Sequence, residues 1–581
     1  MQLNMQASQL SLFPLAASQA SAPVVVTDWT PDELEQRAMA AIDAVLEAGH
    51  PLICAWSSGK DSSVVANLML NAARVRLQSG LACPPLLINH SSITVENPEV
   101  QALAASEIAK MRAYAAAQGI PLTVRVGRPT LYSAFACRVI GGRGLPPFPD
   151  TRGDCSVDWK VRVGDRLAAS ARIELRRLTT KPAVLMTGVR REESAARAAS
   201  IASRGERDDG IWTNEEGAMR LSPILSWTSD DVWTYLGYCS AGLIPSYSDF
   251  AETMRFYRDA GGSSCVVVAS DMMDTRKNVG CGARSGCVTC TKVQSDKSLT
   301  NMVESDSGRY GYMNPMLAFR DFIANTQYDW SRRSYVGRTI DKDGYITIAA
   351  DTYSPQMLED LLWYALSIQA TLPAAAKFRY VNMKELFAID LLWSAYGLHK
   401  PFHALWIARE VERGNLKFPP KVKPFQKTPV PSYGRIFVGR DWDGVDTPRV
   451  TGLFDAPMAL AEEGCGTGTR FTRDGRIVTD FETTKQFDID EEGAMLFLEF
   501  EADRHIEDYH REDAEWTAAA RVYLRYGFVT LANGAHARWD GILRRTEWRQ
   551  QNGLHGQPPL DRLVARCDAA RPESTRLAEA A

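Results

Sequence analysis

Two groups of residues in this 581-residue chain have types and spacings suited to chemistry. The first is Cys265-x15-Cys281-x5-Cys287-x2-Cys290. Four thiolates can enclose a tetrahedral zinc or give one ligand to each iron of a four-iron cluster. Spacing leaves both open, because Cys287 to Cys290 is the one CxxC knuckle. The second group is Ser57-Ser58-Gly59-Lys60-Asp61-Ser62, which follows the apolar run Leu52 to Trp56 and precedes a helical stretch from Ser62 to Gln78. Small residues there let backbone amides approach an anion. A helix N-terminus adds partial positive charge and Lys60 a full one. Gly59 is expected to supply backbone angles that a larger residue resists. The Lys-Asp order does not fit Walker A, whose Lys precedes Ser or Thr. Arg190 offers a second cation for phosphate oxygens, and Asp61 or Glu96 a carboxylate to hold magnesium or orient a nucleophile.

The elements that must position these groups alternate. Thr30-Pro31-Asp32-Glu33 reads as a capped helix start, with the helix running to about Glu47. Strands are expected at Leu52 to Trp56, Leu86 to Ile88, Leu122 to Val126 and Ala183 to Met186, and helices at Pro98 to Gln118 and Asp158 to Leu175. Strands alternating with helices imply an α/β fold with a parallel sheet. Beyond about residue 305 the pattern turns helical, at Pro355 to Thr371 and Met383 to Glu412, with Trp363, Trp393 and Trp406 as core anchors. The expected organisation is a tail over 1–27, a nucleotide-binding domain with the Cys-rich module over 28–305, a helical region and basic linker over 306–425, and a mixed α+β domain over 426–581.

Composition narrows the class. Apolar residues make up 45% and charged residues 23%, as in globular protein. The net charge of −4 excludes holding DNA by bulk charge alone. Residues 413–440 nevertheless carry seven Lys/Arg and no acid, and Lys417, Phe418, Lys421, Lys423, Phe425, Lys427, Tyr433 and Arg435 mix cations with aromatics. The same stretch also reads as a Pro-rich linker. Eleven cysteines, an odd number with four in one block, point to a reduced compartment with a local metal site. Cys54, Cys83, Cys137, Cys239, Cys465 and Cys567 read as packing residues. The histidines are scattered; His399 and His403 share a helical face whose apolar surroundings favour core packing. No run reaches roughly 18 apolar residues and the first 27 lack Lys and Arg, so a cytoplasmic protein without membrane contact is expected.

The hexapeptide resembles the PP-loop, Ser-Gly-Gly-x-Asp-Ser, of enzymes that split ATP between its α and β phosphates, with Ser58 in place of the first Gly. That departure is tolerable if Ser58 keeps an ordinary backbone conformation. Val95-Glu96-Asn97-Pro98, then Gly188-Val189-Arg190 with Glu192, Glu193, Ser194 and Arg197, then Pro223-Ile224-Leu225-Ser226-Trp227 before Asp231-Val232-Trp233, follow in the order of the phosphoadenosine phosphosulfate reductase superfamily over roughly residues 45–300. Gly142-Arg143-Gly144-Leu145-Pro146 and Asp154-Cys155-Ser156-Val157-Asp158-Trp159-Lys160, with the Cys281 to Thr291 stretch, are similar to the DNA phosphorothioation proteins DndC and SspD. The resemblance implies a PP-loop domain of the adenine nucleotide α-hydrolase type that hydrolyses ATP to AMP and pyrophosphate. It also implies an iron–sulfur cluster (4Fe–4S rather than zinc) on Cys265, Cys281, Cys287 and Cys290. Cys155 is then either a persulfide carrier or a replacement for Cys265 as a ligand. DNA is the implied substrate, within an antiphage defence system. A cysteine desulfurase and other modification-complex subunits are the implied partners.

Other outcomes stay open. Phosphoadenylylsulfate reductases act through a C-terminal Glu-Cys-Gly-x-His motif that is missing here, Cys567 lying in Ala-Arg-Cys-Asp, which demotes sulfate reduction. A tRNA or small-molecule sulfurtransferase is one alternative, and a non-catalytic defence component another. In the tail, Gln9-Leu10-Ser11-Leu12-Phe13 matches the short peptide by which bacterial replication proteins dock on the sliding clamp.

Overall fold

The computed structural model of the chain describes residues 29–149, 151, 154–193, 195–261, 286–341, 343–430, 432–437, 450–454, 468–558 and 561. Its first half is the expected α/β unit. Helix α1 (Pro31–Glu47) opens on a capping box between Thr30 and Glu33. It leads into β1 (Leu52–Trp56), α2 (Lys60–Gln78), β2 (Leu86–Ser91), α3 (Pro98–Ala117), β3 (Leu122–Gly127) and β4 (Val184–Met186). Two further strands, β5 (Trp212–Thr213) and β6 (Met219–Leu221), complete a six-stranded sheet in the order β3-β2-β1-β4-β6-β5. All pairings are parallel except β5 with β6. Leu52 of β1 sits between Leu86 of β2 and Val184 of β4. The chain winds outward from β1 to β3 and then returns to the other side of β1. The switch between β1 and β4 leaves a crevice at their carboxyl ends, where ligands bind in open α/β sheets.

Two large apolar cores are present. One joins the sheet to α1 and α2 through Leu34, Val45, Val64, Leu68, Ile88 and Val184. The other runs from Ile93 to Leu543 and draws on residues of both halves. At its centre the helix Met383–Ala395 is buried almost all round, consistent with a sequence apolar on every side. Its Trp393 indole donates to the Ile140 carbonyl at 2.8 Å. Gly141 and Gly142 admit this approach: a Cβ on Gly141 would lie 2.8 Å from Leu392, and one on Gly142 2.6 Å from Leu398.

The single helix expected over Met383 to Glu412 is instead two, Met383–Ala395 and His403–Glu412. Gly397 takes φ +60°, the usual left-handed exit from a helix, and Pro401 disfavours helical angles at Lys400. Buried Asp390 caps the second helix, accepting from the amides of Phe402 (3.2 Å) and Ala404 (2.8 Å) and from the Tyr523 hydroxyl (2.7 Å). A hairpin of β7 (Arg333–Ile340) and β8 (Tyr345–Tyr353) pairs with β9 (Ser432–Phe437). Beyond it lie short strands and four helices between Glu491 and Gln551. No helix among the described residues is long and apolar enough to cross a membrane.

Candidate functional site

The turn from β1 into α2 carries the phosphate-type hexapeptide. Helix α2 begins at Lys60 with Gly59 as its cap in ordinary extended backbone (φ −79°). The left-handed residue is Ser58 (φ +61°), which is buried, with its hydroxyl donating to the Ser57 carbonyl at 2.5 Å. The expectation for both residues is therefore corrected. Ser58 occupies a glycine conformation, and Gly59 is required for space: a Cβ there would lie 3.3 Å from the Tyr257 hydroxyl and 3.4 Å from Ser57 Oγ. Left-handed backbone at a non-glycine residue is strained, and such strain concentrates where a turn must aim its amides. Ser62 closes the turn, its hydroxyl accepting from the Ser57 amide (3.1 Å) and donating to the Gly59 carbonyl (3.0 Å).

The charged groups converge at the crevice. Lys60 and Arg190 are both buried, at 6% and 5% exposure, which is rare for cations without partners. Asp61 joins them: its Oδ1 lies 3.1 Å from Lys60 Nζ and 2.6 Å from Arg190 Nε. Arg190 also donates to Glu192 (3.0 Å), whose carboxylate accepts the Ser229 amide at 2.5 Å. Gly188, after β4, faces the start of α2 so closely that a Cβ would lie 3.0 Å from the Asp61 carbonyl and the Ser62 amide. Tyr257, on the helix Ala251–Gly261, accepts the Lys60 amide at 3.3 Å, and its ring packs on Trp233 at 5.2 Å. Sequence reading missed Tyr257, because nothing in its spacing links it to the turn.

Glu96 lies elsewhere. The motif Val95 to Pro98 splits into two jobs. Asn97 caps α3 by accepting the Glu99 amide (2.9 Å), whereas Val95 and Glu96 pair with the cysteine segment. Glu96 and Cys287 form an antiparallel bridge, and the Val288 amide donates to the Val95 carbonyl at 2.9 Å. Burial raises the Glu96 carboxyl, while nearby Lys160 lowers it.

Cys155, Cys287 and Cys290 are brought together. Burial pushes the Cys287 thiol up to about 12; Lys160 lowers it, and Cys290, Cys155 and Glu96 raise it further. Cys155 is likewise raised by burial and then by Cys290. The Cys290 amide closes a turn on the Cys287 carbonyl at 2.9 Å, and buried Arg320 donates to the Cys290 carbonyl at 3.0 Å. Cys155 opens on a cavity of about 150 Å³ lined also by Arg138, Leu145, Pro146, Thr151 and Trp159. Two π-helical turns, Ala136–Ile140 and Val157–Val161, wall this cavity and are joined by an Arg138–Asp158 ion pair of 2.6 Å. Such turns recur at functional sites because the extra residue re-aims side chains. Cys265, Cys281 and the peptide Gln9, Leu10, Ser11, Leu12 and Phe13 lie outside the described residues.

Residues 165–267 match the family described as the phosphoadenosine phosphosulfate reductase domain. That match and the largely parallel sheet support a nucleotide-binding α/β domain of the PP-loop type. Among solved structures, the chain is similar to Candida glabrata FMN adenylyltransferase in complex with FMN and the ATP analogue AMPCPP, at 12% identity and a TM-score of 0.20. The overlap covers 37% of this chain and 60% of that one, too slight a likeness to bear on mechanism. No curated protein matches.

Proposed function

We propose that the chain is a DndC-like ATP pyrophosphatase that activates DNA for sulfur insertion, with an iron–sulfur cluster held beside the Cys155 cavity. The observation that carries this reading is the placement of two chemistries along one sheet edge. The β1 and β4 ends supply Lys60, Asp61 and Arg190, and the loop after the adjacent β2 supplies Glu96 against Cys287.

Lys60, Arg190 and the amides at the start of α2 neutralise the phosphate oxygens and the charge that grows on the departing pyrophosphate. Asp61, which now takes both cations, exchanges them for the nucleotide. Asp61 and Glu192 are the carboxylates here that suit magnesium, which prefers few carboxylates plus phosphate oxygens. The thiol set fits a cluster: Cys287 feels the charges of Cys290 and Cys155, and Cys155 that of Cys290, with the fourth ligand to come from Cys265 or Cys281. A bound cluster would relay electrons or sulfur. Ligation needs thiolates, so loading must displace the protons that burial favours on Cys155 and Cys287. A cysteine desulfurase is the proposed sulfur donor, and the sliding clamp a docking partner through Gln9 to Phe13.

The deciding experiment is pyrophosphate release from ATP with and without duplex DNA. DNA-stimulated release that Lys60→Ala abolishes supports the reading. Release stimulated by tRNA or a small sulfur acceptor instead of DNA transfers it to those substrates.

A further inference from the structure

In the second core, two helices and the break before the second of them bring together ligand-type side chains. Glu359 is on the helix Pro355–Thr371, His399 lies in the break before the helix His403–Glu412, and His403 is that helix's first residue. One ligand atom from each lies within 4.8 Å of the other two. We propose that Glu359, His399 and His403 form a second metal site, independent of the cysteines, for a borderline divalent cation such as zinc.

The donor chemistry selects that class. Two imidazoles and a carboxylate suit zinc and its neighbours, whereas calcium and magnesium prefer oxygen alone. The tautomer of His399 is set by its partner: Nε2 lies 2.8 Å from the Pro355 carbonyl, which can only accept, so Nε2 carries the proton and Nδ1 the lone pair. A ligating imidazole that donates its other N–H to a backbone carbonyl is the usual outer support of a metal site. Burial keeps His399 neutral, down to about 3, ahead of the effect of His403. The Glu359 carboxyl is held below its ordinary value, first by the His403 hydrogen bond (3.1 Å) and then by His403, His399 and Lys417. A cation would take the place of the hydrogen bond between His403 and Glu359.

The surroundings leave room for a water or substrate ligand on the open side. Glu359 and His403 keep 20% and 17% of their side chains exposed. Close by, His510 has a buried Nε2 without a hydrogen bond, and its ring lies 5.9 Å from that of His403. Lys417 is held over the Trp363 ring at 3.2 Å, and Lys400 is tied to the carbonyls of His510 and Arg511. The His399 and His403 rings are stacked, 4.7 Å apart and 14° from parallel. A metal lies in the plane of each imidazole it binds, so loading must turn one ring out of this stack. Each ring also touches an indole, His399 on Trp393 at 4.5 Å and His403 on Trp406 at 5.2 Å. Binding is therefore visible in tryptophan emission.

The test titrates Co²⁺ into the full chain, in the native protein and in a Cys287→Ser/Cys290→Ser variant. The expected result is one equivalent with weak nitrogen/oxygen-type visible bands, no thiolate charge transfer, and a change in tryptophan emission, persisting in the cysteine variant. Glu359→Gln and His403→Ala should weaken that equivalent about 100-fold or more while any thiolate-bound cobalt stays, showing that the chain has kept its fold. Native protein that takes up cobalt with thiolate-type spectra alone, or takes up none, overturns the site. So does a Glu359→Gln protein that binds as tightly as the native one.

Discussion

At the scale of single residues, Ser58 is the departure that matters. It sits at φ +61° in a position where the PP-loop pattern has glycine. Left-handed backbone costs a non-glycine residue roughly 1–2 kcal/mol. Ser58→Gly is expected to keep ATP cleavage and gain about 1 kcal/mol, read as a higher melting temperature. Ser58→Val, branched at Cβ and without the hydroxyl, should lose both stability and pyrophosphate release. A glycine variant that melts as early as the valine one contradicts the strain. The types of Lys60, Asp61 and Arg190 were legible because phosphate chemistry demands cations and a carboxylate near small residues. The angle at Ser58 was not, since nothing in a serine announces it. The grouping of Cys155 with Cys287, which the fold creates from distant segments, came from the family resemblance as one of two readings of Cys155 and not from spacing.

At the scale of elements, periodicity served well where helix and strand alternate in short, bounded runs. Leu52–Trp56 and Pro355–Thr371 match their sequence-based bounds, and Thr30 forms the expected capping box. The reading failed at Met383 to Glu412, where an apolar helical pattern continues through Gly397 and Pro401. Tertiary contacts from Asp390 stabilise the break, and those contacts lie outside any local window. The first of these two helices holds a buried acid with a measurable consequence. Burial raises the Glu385 carboxyl from an ordinary 4.5 to about 7. A raised folded-state pKa means that its contribution is fully present below about 4.5 and is lost as pH rises through 7. The size is on the order of 3 kcal/mol at most. Denaturant unfolding at pH 5 and pH 8 should show the native protein losing stability relative to Glu385→Gln, whose amide keeps the cap on Asn382. Parallel curves for the two proteins would remove Glu385 as the source.

At the scale of the whole molecule, the proposed cluster on the thiol group would give the protein a colour. Anaerobic purification should give broad absorption near about 400 nm, where iron–sulfur charge transfer falls, and Cys287→Ser/Cys290→Ser should abolish it. A colourless protein with one stoichiometric zinc rejects the cluster. The tail makes a separate prediction: Leu12→Ala with Phe13→Ala should end co-purification with the sliding clamp while leaving ATP cleavage unchanged. Retained co-purification excludes the peptide.

The bond from Trp393 to the Ile140 carbonyl has a consequence for how the protein is made. Ile140 ends one of the two π-turns that wall the Cys155 cavity, and the helix carrying Trp393 backs it. On the ribosome the amino-terminal sheet can fold as it emerges, since domains form in order of synthesis. The cavity wall has no backing until Trp393 has left the exit tunnel, after more than half of the chain has been translated. Completion of the cavity, and with it insertion of the proposed cluster, would thereby be deferred to a late stage of biogenesis, and a prematurely terminated chain would own the sheet with no finished cavity beside it.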